Sequence, residues 1–568
     1  MRLPQVVGIA CLLAAVITPE AVQAQFTFVT NGDNTITITG YTGTNTTAIV
    51  PDTINGLPVK VIGNGAFRYN GTVYIHSIII PDGITSIEDE AFYNLNPLTS
   101  FTIPGNVTNI GNSAFWGCTS LKNITIPGGV HRLGDAAFQY CDGLTNVTIL
   151  NGVVEIGGNA FYSCDALHGI TLPESTKGIG DYAFYACGSL TSITIPGGVT
   201  NFGSGVFVYC GSLTNVTMPE GITTIGSYAF MYCGGLANIL VPHSVTNIGD
   251  YAFAHCPGLM NITIPESLTS IGAAAFLSCG SLAGFTIPNH VTSIGSSAFS
   301  SCGSLTSIAI PNSIASIEDS VFAACSGLTN VTIPDSVTSI GNSAFGSCSD
   351  LANLAVPGTV TNIGPSAFSG CSSLTSFTIP NGVTTIESYT FSGCSSMTNV
   401  TIPNTITHIG YSAFFGCSSL TSVIIPVGVT GIESTAFQAC TSLKGIFFNG
   451  NAPTLDGSYI FYETPDVTAY HLPGTTGWDN FALLTGVPTA LWLPAMQTSD
   501  GSFGVKTNQF GFNINWASGQ TVVVDACTDL SNPDWQPVQT NALTTGSVYF
   551  SDPQWTNYPG RFYRLRSP

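Results

Sequence analysis

The chain has 568 residues, of which 44% are apolar and only 7% charged, and it carries a formal charge of −20. Its 33 Phe and abundant Ile and Leu supply enough core to offset the entropy of ordering, which excludes a disordered chain. Its 11 Lys and Arg, none between Lys177 and Lys444, cannot track a phosphate backbone, which excludes nucleic acid as a partner.

Arg2, the apolar run Val6 to Ile17 and the small-residue pattern Val22-Gln23-Ala24 read as a secretory signal peptide over residues 1–24. No later stretch reaches the ~20 apolar residues of a spanning helix, so no transmembrane segment is expected. Cys11 falls too early in the apolar run for lipoprotein processing. The mature protein is therefore expected to be secreted or held at the cell surface. Residues 25–80 read as an N-terminal cap and an irregular first repeat. Phe26 to Tyr41 alternates apolar residues with Thr as a hairpin does, and Pro51, Ile62 and Phe67 sketch a repeat.

Residues 81–448 carry sixteen tandem repeats of 23 residues without an insertion. Fifteen of the 17 Cys keep this step, from Cys118, Cys141 and Cys164 onward to Cys440, and a Phe stands three residues before each. Pro keeps the same step from Pro81 to Pro426, broken only by Leu150. Within a unit such as Leu213 to Cys233, Leu-x-x-Val-x-Met has the period-two spacing of a short strand, and Pro219 ends it. The stretch Gly-x-x-Ala-Phe-x-x-Cys fits one or two turns of short helix packing inward. One unit cannot bury these groups alone, whereas stacked copies place each Phe on the Phe of the next rung. The predicted fold is a β-rich solenoid with a parallel sheet on its concave face and short helices or turns on its convex face.

The pattern Leu-x-x-Ile-x-Ile-Pro, then Val-Thr-x-Ile-Gly-x-x-Ala-Phe-x-x-Cys, resembles the BspA-type leucine-rich repeat over about two thirds of the chain. The resemblance implies a curved solenoid on bacterial surface or secreted proteins, with a role in adhesion or ligand binding. It assigns no binding residue here.

Beyond Cys440 the register fails. Residues 449–487 read as a C-terminal cap, 488–504 as a linker, and 505–568 as a small antiparallel β-domain holding Trp516, Trp535 and Trp555. Its ending, Phe550 to Leu565, is similar to a C-terminal module of many exported proteins of environmental bacteria.

The cysteine ladder lacks the clustered spacing of a metal site. Equivalent Cβ atoms on adjacent rungs run parallel at the ~4.8 Å strand separation, whereas a disulfide wants them ~3.8 Å apart and converging. Buried, unpaired thiols are therefore expected, with Cys527 apart from the ladder. Gly-x-Ser-Ala-Phe, as at Gly111 to Phe115, repeats on many rungs and lacks the second Gly of a nucleophile elbow, so it reads as structural. The eight His show no ligand spacing, and Glu88-Asp89-Glu90 and Glu318-Asp319 read as solvated charge at turns rather than a glycosidase pair. No cofactor is expected. Arg561, Arg564 and Arg566 read as a solubilising last strand.

The strand rows hold the binding candidates. One row carries Asn123, Asn146, Gly169, Ser192, Asn215, Asn238 and Asn261; the other carries Thr102, Thr125, Thr148, Thr171, Thr194 and Thr217, with Leu240, Ala309, Ala355 and Ile424 breaking it later. This uncharged, hydroxyl- and amide-rich face suits repeated hydrogen bonding to an extracellular protein or glycan, with avidity from many rungs. The same Thr residues also simply fit half-exposed strands. The expected function is a non-enzymatic exported binding or adhesion protein. The alternatives are a structural surface-layer or spacer protein, and a secreted hydrolase whose carboxylates, Asp525, Asp529, Asp534 and Asp552, lie in the C-terminal β-domain.

Overall fold

The computed structural model describes residues 24–69, 71, 74–457, 459–507, 509–558 and 560–568. The signal-peptide reading and Cys11 fall almost wholly on residues outside the described ones. The chain divides after Leu305 into two compact units.

In the first unit, Phe26–Thr30 and Ile36–Tyr41 form an antiparallel hairpin, and the second of these strands begins a parallel ladder on Leu57–Ile62. Most later repeats contribute two strands, one more than their sequence pattern announced, whereas those at 282–287 and 351–356 lack the first. The expected strand recurs as Asn123–Ile126, Asn146–Ile149, Gly169–Thr171, Ser192–Thr194 and Asn215–Thr217 in one five-stranded parallel sheet. The Val-Thr-x-Ile stretch adds a second parallel ladder, with Arg132–Leu133, Glu155–Ile156, Gly178–Ile179 and Asn201–Phe202 as consecutive members. Pairing is between equivalent residues of successive repeats, Asn123 with Asn146 and Thr125 with Thr148.

The stretch expected to form one or two helical turns is instead a run of tight turns. Two residues per repeat stand in the left-handed region, such as Ala136 at φ 55° and Tyr140 at φ 60°, and a right-handed helix cannot pass through them. The backbone is directed outward to the next rung: the N–H groups of Ser113, Phe115 and Gly117 donate to the carbonyls of Asp135, Ala137 and Gln139, each at 2.8 Å. A helix would spend those donors internally.

These turns aim Phe, Ala and Cys into the core. From Phe67 to Phe299 the Phe rings of successive rungs stack with centroids 4.9–5.6 Å apart and planes within 22°. Each described ladder thiol is free and buried, as is Cys527. Cys118 Sγ donates to the Phe92 carbonyl at 3.3 Å, Cys141 to Phe115 at 3.2 Å, and the pattern continues to Cys302 on Phe276 at 3.2 Å. The thiol therefore fills volume and satisfies a carbonyl that the turn leaves open.

The acidic residues at the turns are also tied to the next rung. Asp89 Oδ1 accepts the Asn112 N–H at 2.6 Å, Asn112 Oδ1 accepts that of Asp135 at 2.8 Å, and Asp181 accepts that of Ser204 at 2.7 Å. Asp89 thus caps a neighbour, where the sequence suggested only solvated charge.

The second unit repeats the scheme. Phe322 to Phe461 stack at 5.2–5.8 Å, Cys348 Sγ reaches the Phe322 carbonyl at 3.2 Å, and Asp319 caps Asn342 at 2.7 Å. A parallel sheet runs through Ser422–Ile425, Gly445–Phe448, Thr468–His471 and Thr489–Leu491. Among the described residues, the α-helix Trp478–Thr485 precedes the last of these strands. Segment 488–504, read as a linker, holds Thr489–Leu491 and also Ala495–Met496, which pairs with Gln509–Asn515. These strands are too short to show alternation, and their partners lie elsewhere in the chain. The remaining chain folds into two antiparallel sheets, one centred on Gln509–Asn515 and one on Gln520–Cys527. They enclose Phe512, Ile514, Trp516, Val522, Val524, Leu543 and Phe550.

Two expectations follow from this packing. Burial pushes the thiols of Cys118, Cys256, Cys394 and Cys440 up to about 12, and burial, aided by Cys210, also holds the Cys187 thiol well above the usual thiol range. The folded chain then holds protons that the unfolded chain, titrating near ~8.5, has lost. Stability is therefore complete below about pH 8 and falls above it by about 1.4 kcal/mol per pH unit for each thiol involved. Urea midpoints should match at pH 6 and 7.5 and drop sharply at pH 10; a constant midpoint contradicts the buried ladder. Separately, Thr176 is fully buried where neighbouring repeats carry Val153 and Val199, and its Oγ1 has no hydrogen-bond partner among the described residues. Thr176→Val should raise stability by about 1–2 kcal/mol in the same urea titration.

Candidate ligand-binding face

The strand residues alternate in and out because successive side chains point to opposite faces. In Asn123–Ile126 and Asn146–Ile149 the Asn and Thr are exposed while the Ile and Val are buried. The same holds for Ser192–Thr194 and Asn215–Thr217. The parallel register brings the candidates into two files. Thr125, Thr148 and Thr171 are consecutive partners, as are Thr194 and Thr217. Asn238 and Asn261 continue the other file and are bonded to each other, Asn261 Nδ2 donating to Asn238 Oδ1 at 2.9 Å.

A third set of Thr residues has a different task. The hydroxyls of Thr145, Thr191 and Thr214 donate to the carbonyls of Lys122, His168 and Thr191 at 3.0–3.3 Å. These bonds tie rung to rung. Among the described residues, the hydroxyls of Thr125, Thr148, Thr171, Thr194 and Thr217 form no such bond, so they face solvent with donor and acceptor capacity intact.

The face is not flat. A depression of about 540 Å³ is lined by Asn146, Thr148, Gly169, Thr171, Ser192 and Thr194 together with Glu174 and strand backbone. A second, of about 390 Å³, is lined by Asn215, Thr217, Asn238, Leu240, Asn261 and Thr263. A third, of about 170 Å³, lies on the same strand positions around Ser77, Ser100 and Thr102. A depression of about 440 Å³ beside the hairpin, lined by Tyr41, Phe67, Arg68 and Tyr69, is separate from the files.

One surface feature escaped the sequence reading. On the turn side of the first unit, consecutive rungs carry Tyr93, Trp116, Tyr140, Tyr162, Tyr185, Tyr209, Tyr232 and His255, with neighbouring centroids 4.2–5.5 Å apart. Desolvation, with help from the Tyr185 and Tyr140 hydroxyls, pushes the Tyr162 phenol up to about 12. Aligning the two residues before each Cys would have found this stripe, since later repeats hold Ser300, Ala323 or Gly346 there. Stacking commits most of these ring faces to adjacent rungs.

In the C-terminal module, each carboxylate considered for hydrolysis has a partner of its own. Asp525, 1% exposed, lies 3.0 Å from both Arg564 Nη2 and Arg566 Nε. Asp552 is 3.2 Å from Arg561 and accepts the Tyr563 hydroxyl at 2.8 Å. Asp529 accepts the Ser531 hydroxyl, which lowers its pKa, and Asp534 accepts from Gln536. The terminal Arg residues thus pair with buried carboxylates, where the sequence suggested simple solubilisation.

A family model described as BspA type leucine rich repeat region matches residues 60–175, 131–260, 246–375 and 361–477. A leucine-rich repeat protein from Bacteroides ovatus is 26% identical over 82% of this chain and 98% of its own, with a TM-score of 0.45. A leucine rich cell surface protein from Faecalibacterium prausnitzii is 27% identical over 75% of this chain and 94% of its own, with a TM-score of 0.34. A leucine-rich repeat protein from Eubacterium ventriosum is 22% identical over 70% and 93%, with a TM-score of 0.38. Nothing among the curated proteins matches. The stacked 23-residue repeats and the family match across residues 60–477 agree: the chain belongs to the BspA-type leucine-rich repeat family.

Proposed function

We propose that this chain is an exported, non-enzymatic recognition protein of the bacterial surface, and that its exposed strand face binds an extended protein or glycan. The observation that carries the reading is the in-register pair of files, Asn and Ser in one and Thr in the other, on the sheet from Asn123 to Thr217. Their hydrogen-bonding groups are presented at a fixed strand spacing, and among the described residues the Thr hydroxyls of this sheet's file form no bond between rungs. Preorganised groups of this kind lose little entropy on binding, and repetition adds avidity to weak single contacts. Membership in the BspA-type family supports a repeat-based recognition role. The signal-peptide pattern at residues 1–24 supports export. The engagement of Asp525 and Asp552 by Arg and Tyr favours a structural C-terminal module over a hydrolytic one.

The test is a screen of the purified protein from Gln25 onward against glycan and protein arrays, with Thr148→Lys/Thr194→Lys as the paired variant. These sites are exposed, so the variant should keep its circular dichroism spectrum. Its affinity for the ligand found should fall by about tenfold or more, the equivalent of one lost contact of about 1.4 kcal/mol. Absence of any ligand, or a ligand bound equally well by the variant, would remove the strand face from the function.

A further inference from the structure

Inside its five-stranded sheet the file of Asn and Ser lacks a side chain at one position, Gly169. That residue lies in the strand Gly169–Thr171, between Asn146 and Ser192 in register. A Cβ built on Gly169 would meet nothing within 4 Å. The missing side chain leaves room in the depression of about 540 Å³ that Gly169 helps to line. Glycine weakens a strand, and its presence in one often marks a place where another molecule approaches the backbone. Gly445 occupies the same file in the second unit and is no parallel, because the Phe447 ring lies 2.7 Å from its ideal Cβ.

The chemistry of the notch narrows its occupant. Asn146, Thr148, Thr171, Ser192 and Thr194 each offer both donors and acceptors, and Glu174 is the single charged group. An anionic ligand would meet Glu174 and a chain of formal charge −20 with no cation in the lining. A peptide adding as a strand needs a free sheet edge, and here both neighbouring strands are already paired with Gly169–Thr171. A polyol ring satisfies mixed donors and acceptors without the cost of burying an ion. The volume lies within the ~300–1,000 Å³ of ordinary small-molecule sites.

We infer that the Gly169 notch seats one ring of a neutral saccharide, so that the ligand of the strand face is a neutral glycan. This rests on the strand-face reading above and goes further in naming the ligand class and its central subsite.

Gly169→Asn separates the two ideas. The backbone there is not in the left-handed region, the added Cβ has open space, and the new amide can bond Asn146 as Asn261 bonds Asn238. The variant should therefore fold with an unchanged or higher melting temperature while its notch is filled. Gly284→Asn is the control: it adds the same bulk to the same file at another site with nothing within 4 Å of the new Cβ. Cellotetraose, maltotetraose, mannotetraose and chitotetraose serve as neutral probes, and a heparin tetrasaccharide as the anionic one, read by calorimetry and saturation-transfer NMR on the mature chain. The expected result is binding of at least one neutral probe, weakened about tenfold or more by Gly169→Asn and untouched by Gly284→Asn, with no binding of the anionic probe. Equal binding by Gly169→Asn overturns the notch and leaves the strand face standing. Binding of only the anionic probe or only proteins overturns the neutral-glycan inference and likewise spares the face. Failure of the chain to bind any saccharide or protein overturns both.

Discussion

Every repeat in this protein depends on an identical neighbour one rung away, because the polar groups it buries are completed by that neighbour. The Phe115 N–H needs the Ala137 carbonyl and the Cys141 thiol needs the Phe115 carbonyl. At the exposed turns, the Asn112 N–H is likewise met by Asp89 of the preceding rung. A buried N–H or C=O without a partner costs as much as a lost hydrogen bond, so an isolated repeat has no stable form. The apolar part follows the same rule, since the Phe rings of the ladder stack on the rings before and after them. Insertions between repeats would break all these contacts together, which accounts for the unbroken step from Pro81 to Phe448.

This requirement also shapes the unusual residues. A thiol at the end of Gly-x-x-Ala-Phe-x-x-Cys is small enough for the crowded core, weakly polar, and able to donate to one carbonyl. The left-handed positions cost about 1–2 kcal/mol each for residues other than glycine, and the chain accepts that cost twice in many repeats and once where Gly117, Gly205, Gly370, Gly393 or Gly416 takes one of the two positions. They turn alternate N–H groups toward the next rung, where a helix would consume them.

Much of this was legible in the sequence. The step of the Cys and Phe residues gave the stacking, and the expected contact of Phe207 with Phe230 is present at 5.5 Å. The free state of the thiols followed from strand spacing alone and agrees with the structure. The second ladder was missed because two residues, such as Glu155–Ile156, are too few to show alternation. The helical reading failed because apolar spacing reports which side faces inward and is blind to the sign of φ. The rung-capping role of Asp89 and the ion pairs of Asp525 were invisible because their partners come from another repeat or another strand. On the exposed strand face, sequence placed the Asn and Thr files, but the notch at Gly169 needed the three-dimensional neighbours of a residue defined by what it lacks. The Thr hydroxyls fall into two chemical sets: one bonds rung to rung, and the other, among the described residues, forms no such bond.

The central claim is that register, rather than any single contact, holds the repeat region together. It is tested most directly by two deletions in the first unit, one removing a whole repeat, residues 188–210, and one removing half of it, each followed by circular dichroism through thermal unfolding. The account predicts that the whole-repeat deletion keeps the β spectrum and a cooperative transition, because Cys187 is then followed by the residues that normally follow Cys210. The half-repeat deletion should lose the cooperative transition. Equal tolerance of both deletions, or equal collapse, would contradict it.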